Sequence, residues 1–558
     1  MPISYLSAAQ ITNLSTTRLQ SLNDTKLGDL KSTQVAALTT TAIEGLSATQ
    51  VNALSATGVK GLSTTQIQHI TTGVVFDTDQ LMAFSGAQFN ALTTTHLAAL
   101  DETRLDALAS TQLGALTLSK FSGLTSTQVA SLTTTQLRGL SSAQFMGLSD
   151  TDIGEFTTTQ IAGLAATQVA GLGSAQAAAL TTTQTAAFSS QQIGALSTTA
   201  LSALNGTQVA GLTTTQLSGL STTQLKSLTT TDFQELTQTQ VAALNATQLG
   251  ALSGTNLGSL TSTQIQALTS TQVAGLTTSQ LGVLTTTEFG KFSTTQIDLL
   301  TSTQLSGLSV ENLFSLSDTQ LQSLSTTKIQ GLTGYQVSSF STTDFQRLTD
   351  TQVRAFTATQ IGSLSVENFS SLDSTMIRSF GTAQIKGISA YQAYSLSATD
   401  ATEFTSTQLA ALSSDRIGAF STTALSALST TQLSGLTAVQ LGALTPTKFY
   451  ALNATQVGVL NATQVKGLSS PVLSAMSAAD FQKFSGLQIA NFSMGQIGAL
   501  STTVISSLDA TQIQAISPLQ IPALTVTQIQ AMSTTQIGQM TAAQLNAMTA
   551  TQVQSLPS

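Results

Sequence analysis

A period of eight residues runs through almost the whole chain and limits what the chain can fold into. Leu212–Leu220 reads LTTTQLSGL, and each related unit shares its last leucine with the first of the next. The first octad opens at Leu6, and the pattern continues to Leu556 with one interruption. Because stacked repeats replace independent domains, the 558 residues predict one array rather than about three or four separate domains.

The octads divide the chain into four stretches, which we expect to form a single continuous solenoid. Residues 1–5 are an N-terminal lead-in, and residues 6–69 hold regular octads. Residues 70–75 (ITTGVV) are two residues short, and octads resume over 76–556. We interpret 70–75 as a deletion that the array absorbs locally; a kink or a partner site is the alternative.

Each octad carries the sequence signals that start a helix. Position 1 is Leu, Phe, Ile or Met, position 2 is mostly Ser, Thr, Asn or Asp, position 5 is usually Gln, and position 6 is apolar. In a capping box, the side chain at position 2 accepts from the amide at position 5, and the Gln reaches back to the amide at position 2. Positions 1 and 6 are then a hydrophobic staple. This pattern predicts a helix from position 3 to about position 8.

Proline positions and helix geometry favour the same backbone. Pro446 and Pro518 fall at position 3, the first helical residue, and Pro471 lies one residue further on, whereas Pro522 at position 7 does not fit. A continuous helix is disfavoured, because eight residues rotate the apolar stripe by about 80° per repeat. We therefore predict an all-α solenoid, a superhelix with one very short helix per octad.

A β-solenoid is the alternative fold, because Thr, Ile and Val favour strands. Strict alternation in a strand would place positions 1 and 6 on opposite faces, which argues against it. The number of octads per superhelical turn stays open. The spacing of Phe at position 6 hints at about 3.5 octads, but Phe at position 1 does not share this spacing.

Composition excludes several classes of function. Only 8% of residues are charged, against about 25% in ordinary soluble domains. The 18 basic residues are scattered, so we expect no nucleic-acid binding. Cysteine is absent, and no apolar run approaches the ~20 residues of a membrane span. The N-terminus lacks the pattern of a classical signal peptide, so we expect any export to use another route.

The sequence shows no constellation suited to catalysis, a cofactor or a metal ion. Histidine occurs only as His69 and His96, which we interpret as tolerated surface substitutions. We predict no enzyme activity and no catalytic, cofactor-binding or metal-binding residue. We interpret two small acidic groups as helix-cap and surface residues rather than as acid–base or calcium sites; they are Asp77 with Asp79, and Asp150 and Asp152 with Glu155.

Units such as LSTTQIQ, LTTTQLSG and LNATQVKG resemble the L-[ST]-x-x-Q-[IVL]-x-[AGS] octads of long repetitive bacterial proteins. Those proteins are often labelled haem-utilisation or adhesin-like. The resemblance covers nearly the whole chain. It implies a bacterial structural protein that is secreted or exposed on the cell surface.

We expect a non-enzymatic structural protein, namely a self-assembling extracellular filament subunit or an adhesin stalk. A solenoid grows by local contacts, and the last octads look like internal ones rather than polar caps, which favours self-association. Its further partners would be the cell surface or the extracellular matrix. The alternatives are a surface module that presents Thr and Gln rows to carbohydrate or ice, and an intracellular scaffold.

Overall fold

Short α-helices make up the chain. The computed structural model describes residues 3–557, which contain 67 α-helices and no β-strand. The chain divides into two compact units, Met1–Phe292 and Ser293–Ser558. The all-α solenoid predicted from the octads is confirmed, and the β-solenoid alternative is wrong.

One α-helix forms in every octad but one, and each begins at the third residue of its octad. The helices are four to six residues long, as in Ala166–Val169, Thr16–Gln20 and Thr158–Gly163. The exception is octad 516–523, which holds a 3-10 helix at Ile521–Ala523. A second 3-10 helix, Ile3–Tyr5, precedes the first octad.

The prolines explain this one exception. Pro446 opens the helix Pro446–Tyr450, and Pro471 is the second residue of the helix Ser470–Ser474, so both lie where a missing N–H is harmless. Octad 516–523 contains Pro518 and also Pro522, the residue that does not fit the sequence pattern. Since Pro522 has no N–H to donate, it removes a bond that an α-helix needs at this point.

The capping box forms as predicted. Thr157 Oγ1 accepts from the Gln160 amide at 3.2 Å, while Gln160 Oε1 accepts from the Thr157 amide at 2.8 Å. The staple residues Phe156 and Ile161 are both buried. Leu164, the first residue of the next octad, has extended backbone (φ −63°, ψ 144°), which ends the helix and redirects the chain.

Octads without a capping side chain still fold. The amide of Ala109 donates to Gln112 Oε1 at 2.8 Å, although Ala109 offers no cap of its own. Helices this short are unstable alone, so packing must hold them when one cap bond is absent. A helix follows a position 2 without a side-chain cap bond at each departure from the Ser/Thr/Asn/Asp rule: Lys31, Ala109, Ala165, Gly173 and Gly381.

Helices pack against neighbours three repeats away, for example Ala166–Val169 against Ser190–Ala195. Hydrogen bonds between successive turns join residues 28 positions apart, as between Gln160 and Leu132. That separation equals three and a half octads, so the structure supplies the number that the sequence left open. The apolar residues of positions 1 and 6 lie inside each unit and form its core.

Small residues at position 8 allow neighbouring turns to approach closely. A Cβ atom added to Gly219 would lie 1.9 Å from the Ser190 carbonyl oxygen, far inside contact distance. Gly154, at position 7, has nothing within 4 Å of the same added atom. Glycine at position 219 is therefore required by packing, whereas glycine at 154 is not.

The short repeat 70–75 has no helix. Thr72 and Gly73 form a turn, and the Val74 amide donates to the Thr71 carbonyl at 3.1 Å. Val74 is buried, as are the flanking apolar residues at positions 70 and 76. The shortened repeat therefore contributes to the core even though it forms no helix.

Candidate functional site

The most regular polar feature is a row of buried glutamines that link successive turns, which we call the glutamine ladder. Gln160 Nε2 donates to the carbonyls of Val129 and Leu132, at 2.7 Å each, 31 and 28 residues earlier in the chain. Its Oε1 accepts from the amide of Thr157 in its own octad. One amide group thus completes a cap and two bonds to the preceding turn.

The same arrangement recurs in both units. Gln440 Nε2 donates to the carbonyls of Leu409 and Leu412 at 2.8 and 2.7 Å. These glutamines are buried; Gln440 is only 1% exposed. The Gln rows expected for a binding surface therefore lie inside the molecule, and the outward positions of an octad, such as Thr215, carry hydroxyls.

Basic side chains at position 5 also donate to the preceding turn. Arg104 Nε donates to the Phe76 carbonyl at 2.8 Å, and Arg416 Nε donates to the Ile388 carbonyl at 2.9 Å, both 28 residues back. Lys120 Nζ donates to a carbonyl of the preceding turn in the same manner. What these substitutions share with Gln is the ability to donate.

Acidic side chains at position 5 cannot donate when ionised, and one group of octads compensates with a base. In octad 284–291, Glu288 accepts from the Thr285 amide at 2.8 Å. Lys291 Nζ then donates to the Gly258 and Leu260 carbonyls at 2.7 and 2.6 Å. The hydrogen bond from the Thr285 amide lowers the pKa of Glu288, because it stabilises the carboxylate.

A second acid–base pair lies in octad 476–483. Lys483 Nζ donates to the carbonyls of Tyr450 and Leu452 at 3.1 and 2.9 Å, and it lies 3.0 Å from Asp480 Oδ1. Burial alone would raise the pKa of Asp480, but hydrogen bonds from Ser477 and Lys483 outweigh it and lower the pKa. The acid completes the cap and the base links the turns.

A third pair repeats the pattern with arginine. Arg347 Nη1 lies 3.1 Å from Asp344 Oδ1 and donates to the Phe314 carbonyl at 3.3 Å. Arg347 also donates to the Leu316 carbonyl. In these three octads, two charged side chains share the bonds that one glutamine makes elsewhere.

Three other octads have an acid at position 5 and a second acid at position 8. Asp232 accepts from the Thr229 amide at 3.0 Å and from the Ser202 hydroxyl at 2.9 Å. Ser202 lies 30 residues earlier, so a serine supplies the bond between turns. The three acid–acid pairs and the serines that donate to them are Asp152 and Glu155 with Ser122, Asp232 and Glu235 with Ser202, and Asp400 and Glu403 with Ser370.

The second acid of each pair holds its proton more tightly than usual. Burial raises the pKa of Glu155, Glu235 and Glu403, and the negative charge of the Asp three residues earlier raises it further. Each acid–acid pair therefore costs stability when both carboxyls are ionised.

The residues singled out in the sequence lie in separate places. Asp77 caps the helix Thr78–Ala83 by accepting from the Gln80 amide at 2.8 Å, as interpreted. His69 Nδ1 lies 3.8 Å from Glu44 on the surface. His96, however, is only 2% exposed, so its interpretation as a surface substitution is wrong. Its partner is the shortened repeat, which offers a carbonyl at 3.0 Å.

No group of three or more His, Cys, Asp or Glu side chains within residues 3–557 is placed to hold a metal ion. A groove of about 1010 Å³ opens on the first unit. Its lining is mostly Thr, Ser, Gly and Ala, and Lys226 is its one charged residue. The groove offers hydroxyl groups and no acid–base pair.

None of the helices in the described part of the chain has the length and apolar character needed to cross a membrane.

Comparison with known proteins identifies the type of repeat. Residues 241–278 and 489–526 match the ALTTAQ repeat. The two segments cover about one seventh of the 558 residues, and the octads between and around them follow the same pattern. No curated protein matches the chain. The chain is thus a repeat protein of short helices, while the bacterial surface origin implied by the resemblance stays a prediction.

Proposed function

We propose that the chain is a non-enzymatic structural protein, either a self-assembling extracellular filament subunit or an adhesin stalk. A repeat protein of short helices fits a structural or scaffold role. The observation that carries the proposal is the glutamine ladder: side chains such as Gln160 are used up in bonds between turns of the same chain. The outward positions then hold mainly small hydroxyl side chains.

The surface also suits association between copies. Only 8% of residues are charged and the formal net charge is −8, so repulsion between copies is weak for a chain of this size. The second unit exposes large apolar side chains, of which Leu487 and Leu519 are 81% and 82% exposed. Side chains of this kind contribute to contacts between molecules when they are brought together.

Our proposed location is outside the cell or on its surface, with the cell surface or the extracellular matrix as further partners. An intracellular scaffold is the competing proposal, and fractionation of the native host separates the two. The carbohydrate- or ice-binding alternative loses half of its proposed surface, because the ladder glutamines are buried.

Self-assembly is tested by sedimentation and electron microscopy of the full chain over a range of concentrations. We expect particles that grow with concentration. The matched control is the double variant Leu487→Lys and Leu519→Lys, which removes two exposed apolar groups without touching the core, and we expect smaller particles from it. Single-chain particles at every concentration would contradict the self-assembly proposal.

A further inference from the structure

The shortened repeat 70–75 is held by a buried histidine. His96 occupies position 5 of its octad, where Gln is usual, and its side chain is 2% exposed. The ring Nε2 lies 3.0 Å from the Thr71 carbonyl oxygen, and Nδ1 lies 2.9 Å from Thr93 Oγ1. The Thr93 amide nitrogen is 3.4 Å from Nδ1. His96 therefore takes the place of a ladder glutamine opposite the one break in the repeat.

These partners fix the protonation of the ring. A main-chain N–H can only donate, so Nδ1 must accept from Thr93. A main-chain carbonyl can only accept, so Nε2 must carry the proton and donate to Thr71. The arrangement thus requires a neutral imidazole with its proton on Nε2, and a second proton on Nδ1 would face the Thr93 N–H.

No neighbouring charge compensates for a protonated ring. On the elements nearest His96, Asp77 accepts from an amide of its own helix, Arg104 donates to the Phe76 carbonyl and Lys120 donates to the Asn90 carbonyl. Two further charged groups, Asp79 and Asp101, lie on the adjacent helix starts. Across residues 3–557, none of these groups forms an ion pair or hydrogen bond with His96. The ring packs instead against Phe76, with ring centroids 6.1 Å apart.

We propose that His96 makes the shortened repeat a pH-sensitive joint. At neutral pH the imidazole caps the helix Thr94–Ala98 and holds the Thr71 carbonyl. Acidification adds a proton from solvent at Nδ1, which breaks the bond to the Thr93 amide and releases residues 70–76 from the turn that covers them. Histidine is the side chain that changes charge between about pH 5 and about pH 8, so the joint responds in that range.

Hydrogen–deuterium exchange of the full chain tests the joint. We expect protection of the amides in 70–76 and 93–98, corrected for intrinsic exchange rates, to fall about tenfold from about pH 8 to about pH 5. In His96→Gln, Oε1 can accept from Thr93 and Nε2 can donate to Thr71, so the bonds persist without a titrating group and protection should not change. His69→Gln, altered at the exposed histidine, should respond as the wild type does.

Unchanged wild-type protection at low pH would overturn the proposal, as would the same loss of protection in His96→Gln. A second measurement does not depend on that variant folding. Because the chain has only two histidines, NMR of the protein labelled with ¹⁵N at histidine observes His96 directly. We expect the neutral form with the proton on Nε2 near neutral pH. A charged His96 ring with intact protection of residues 70–76 would contradict the joint.

Discussion

Two octads of the first unit, 156–163 and 228–235, build the same helix with different links to the preceding turn. In the first, Gln160 accepts one bond and donates two. In the second, Asp232 only accepts, and no described side chain donates to the Leu204 carbonyl, the counterpart of Leu132. The difference shows that a helix cap needs only an acceptor at position 5, whereas the link between turns needs a donor.

Removing the link altogether should have the largest effect. Gln160→Met keeps the approximate shape of the side chain but leaves the Val129 and Leu132 carbonyls without their donor. We expect the local free energy of opening to fall by about 2–3 kcal/mol, because buried polar groups lose their partners. Hydrogen exchange of the segment around residues 129–161 measures this change. Gln10→Met, at an exposed position, is the control and should change local stability little.

Close packing between turns is the next largest contribution. Gly219→Ala places a methyl group 1.9 Å from the Ser190 carbonyl oxygen, so the turns must separate. We expect a local loss of about 2 kcal/mol. Gly154→Ala meets nothing within 4 Å and lies at a helix end, so it should be neutral or slightly stabilising. Equal effects of the two substitutions on exchange near each site would contradict the packing argument.

The caps should contribute less per residue. Replacing Thr213, Ser221 or Thr229 by Ala removes a side-chain acceptor for the position-5 amide. We expect a loss of about 1 kcal/mol each, measured as the local free energy of opening. Thr215→Ala, on the outward face, is the control and should have little effect. Unchanged protection in all three cap variants would show that packing alone holds these helices.

Conversion of an acid–acid octad into an acid–base octad should give the smallest effect, with the opposite sign. Glu235→Lys copies the arrangement of Glu288 and Lys291 and supplies a donor for the Leu204 carbonyl. We expect a local gain of about 0.5–1 kcal/mol at neutral pH, because the site is partly exposed. Loss of stability on this change would show that the Lys291 geometry is not available at position 235.

The wild-type octad 228–235 also has a defined pH dependence. The pKa of Glu235 is raised in the folded state, so folding favours the protonated carboxyl. Stability of this octad should therefore rise as pH falls through that raised pKa, and Glu235→Lys should remove this rise. The octad with Glu288 should show the opposite trend, because its pKa is lowered and its contribution is lost on acidification.

The helix in each octad followed from local rules, and the bonds between turns did not. Thr157 and Gln160 satisfy the capping box within four residues, so their sequence alone predicts the helix start. The donation from Gln160 to Val129 joins residues 31 apart and depends on the number of octads per turn, which no local pattern specifies.

A signal for these bonds was nevertheless present in the sequence. A capping box accepts Glu as readily as Gln, yet Glu occupies position 5 only at Glu288, with Lys291 three residues later. The near absence of Glu indicates that the side chain must donate as well as accept. The burial of His96 was missed for the same reason, since it depends on the shortened repeat that lies one turn before it.

The most direct test of the account is the pH dependence of Gln160→Glu. The ionised side chain of this variant would keep the cap but present a carboxylate to the Val129 and Leu132 carbonyls, so we expect local opening at neutral pH to become easier by about 3 kcal/mol. Because the folded state favours the protonated form, acidification should restore part of this loss. If Gln160→Glu is as stable as the exposed control Gln10→Glu at neutral pH, the glutamine ladder does not hold the turns together.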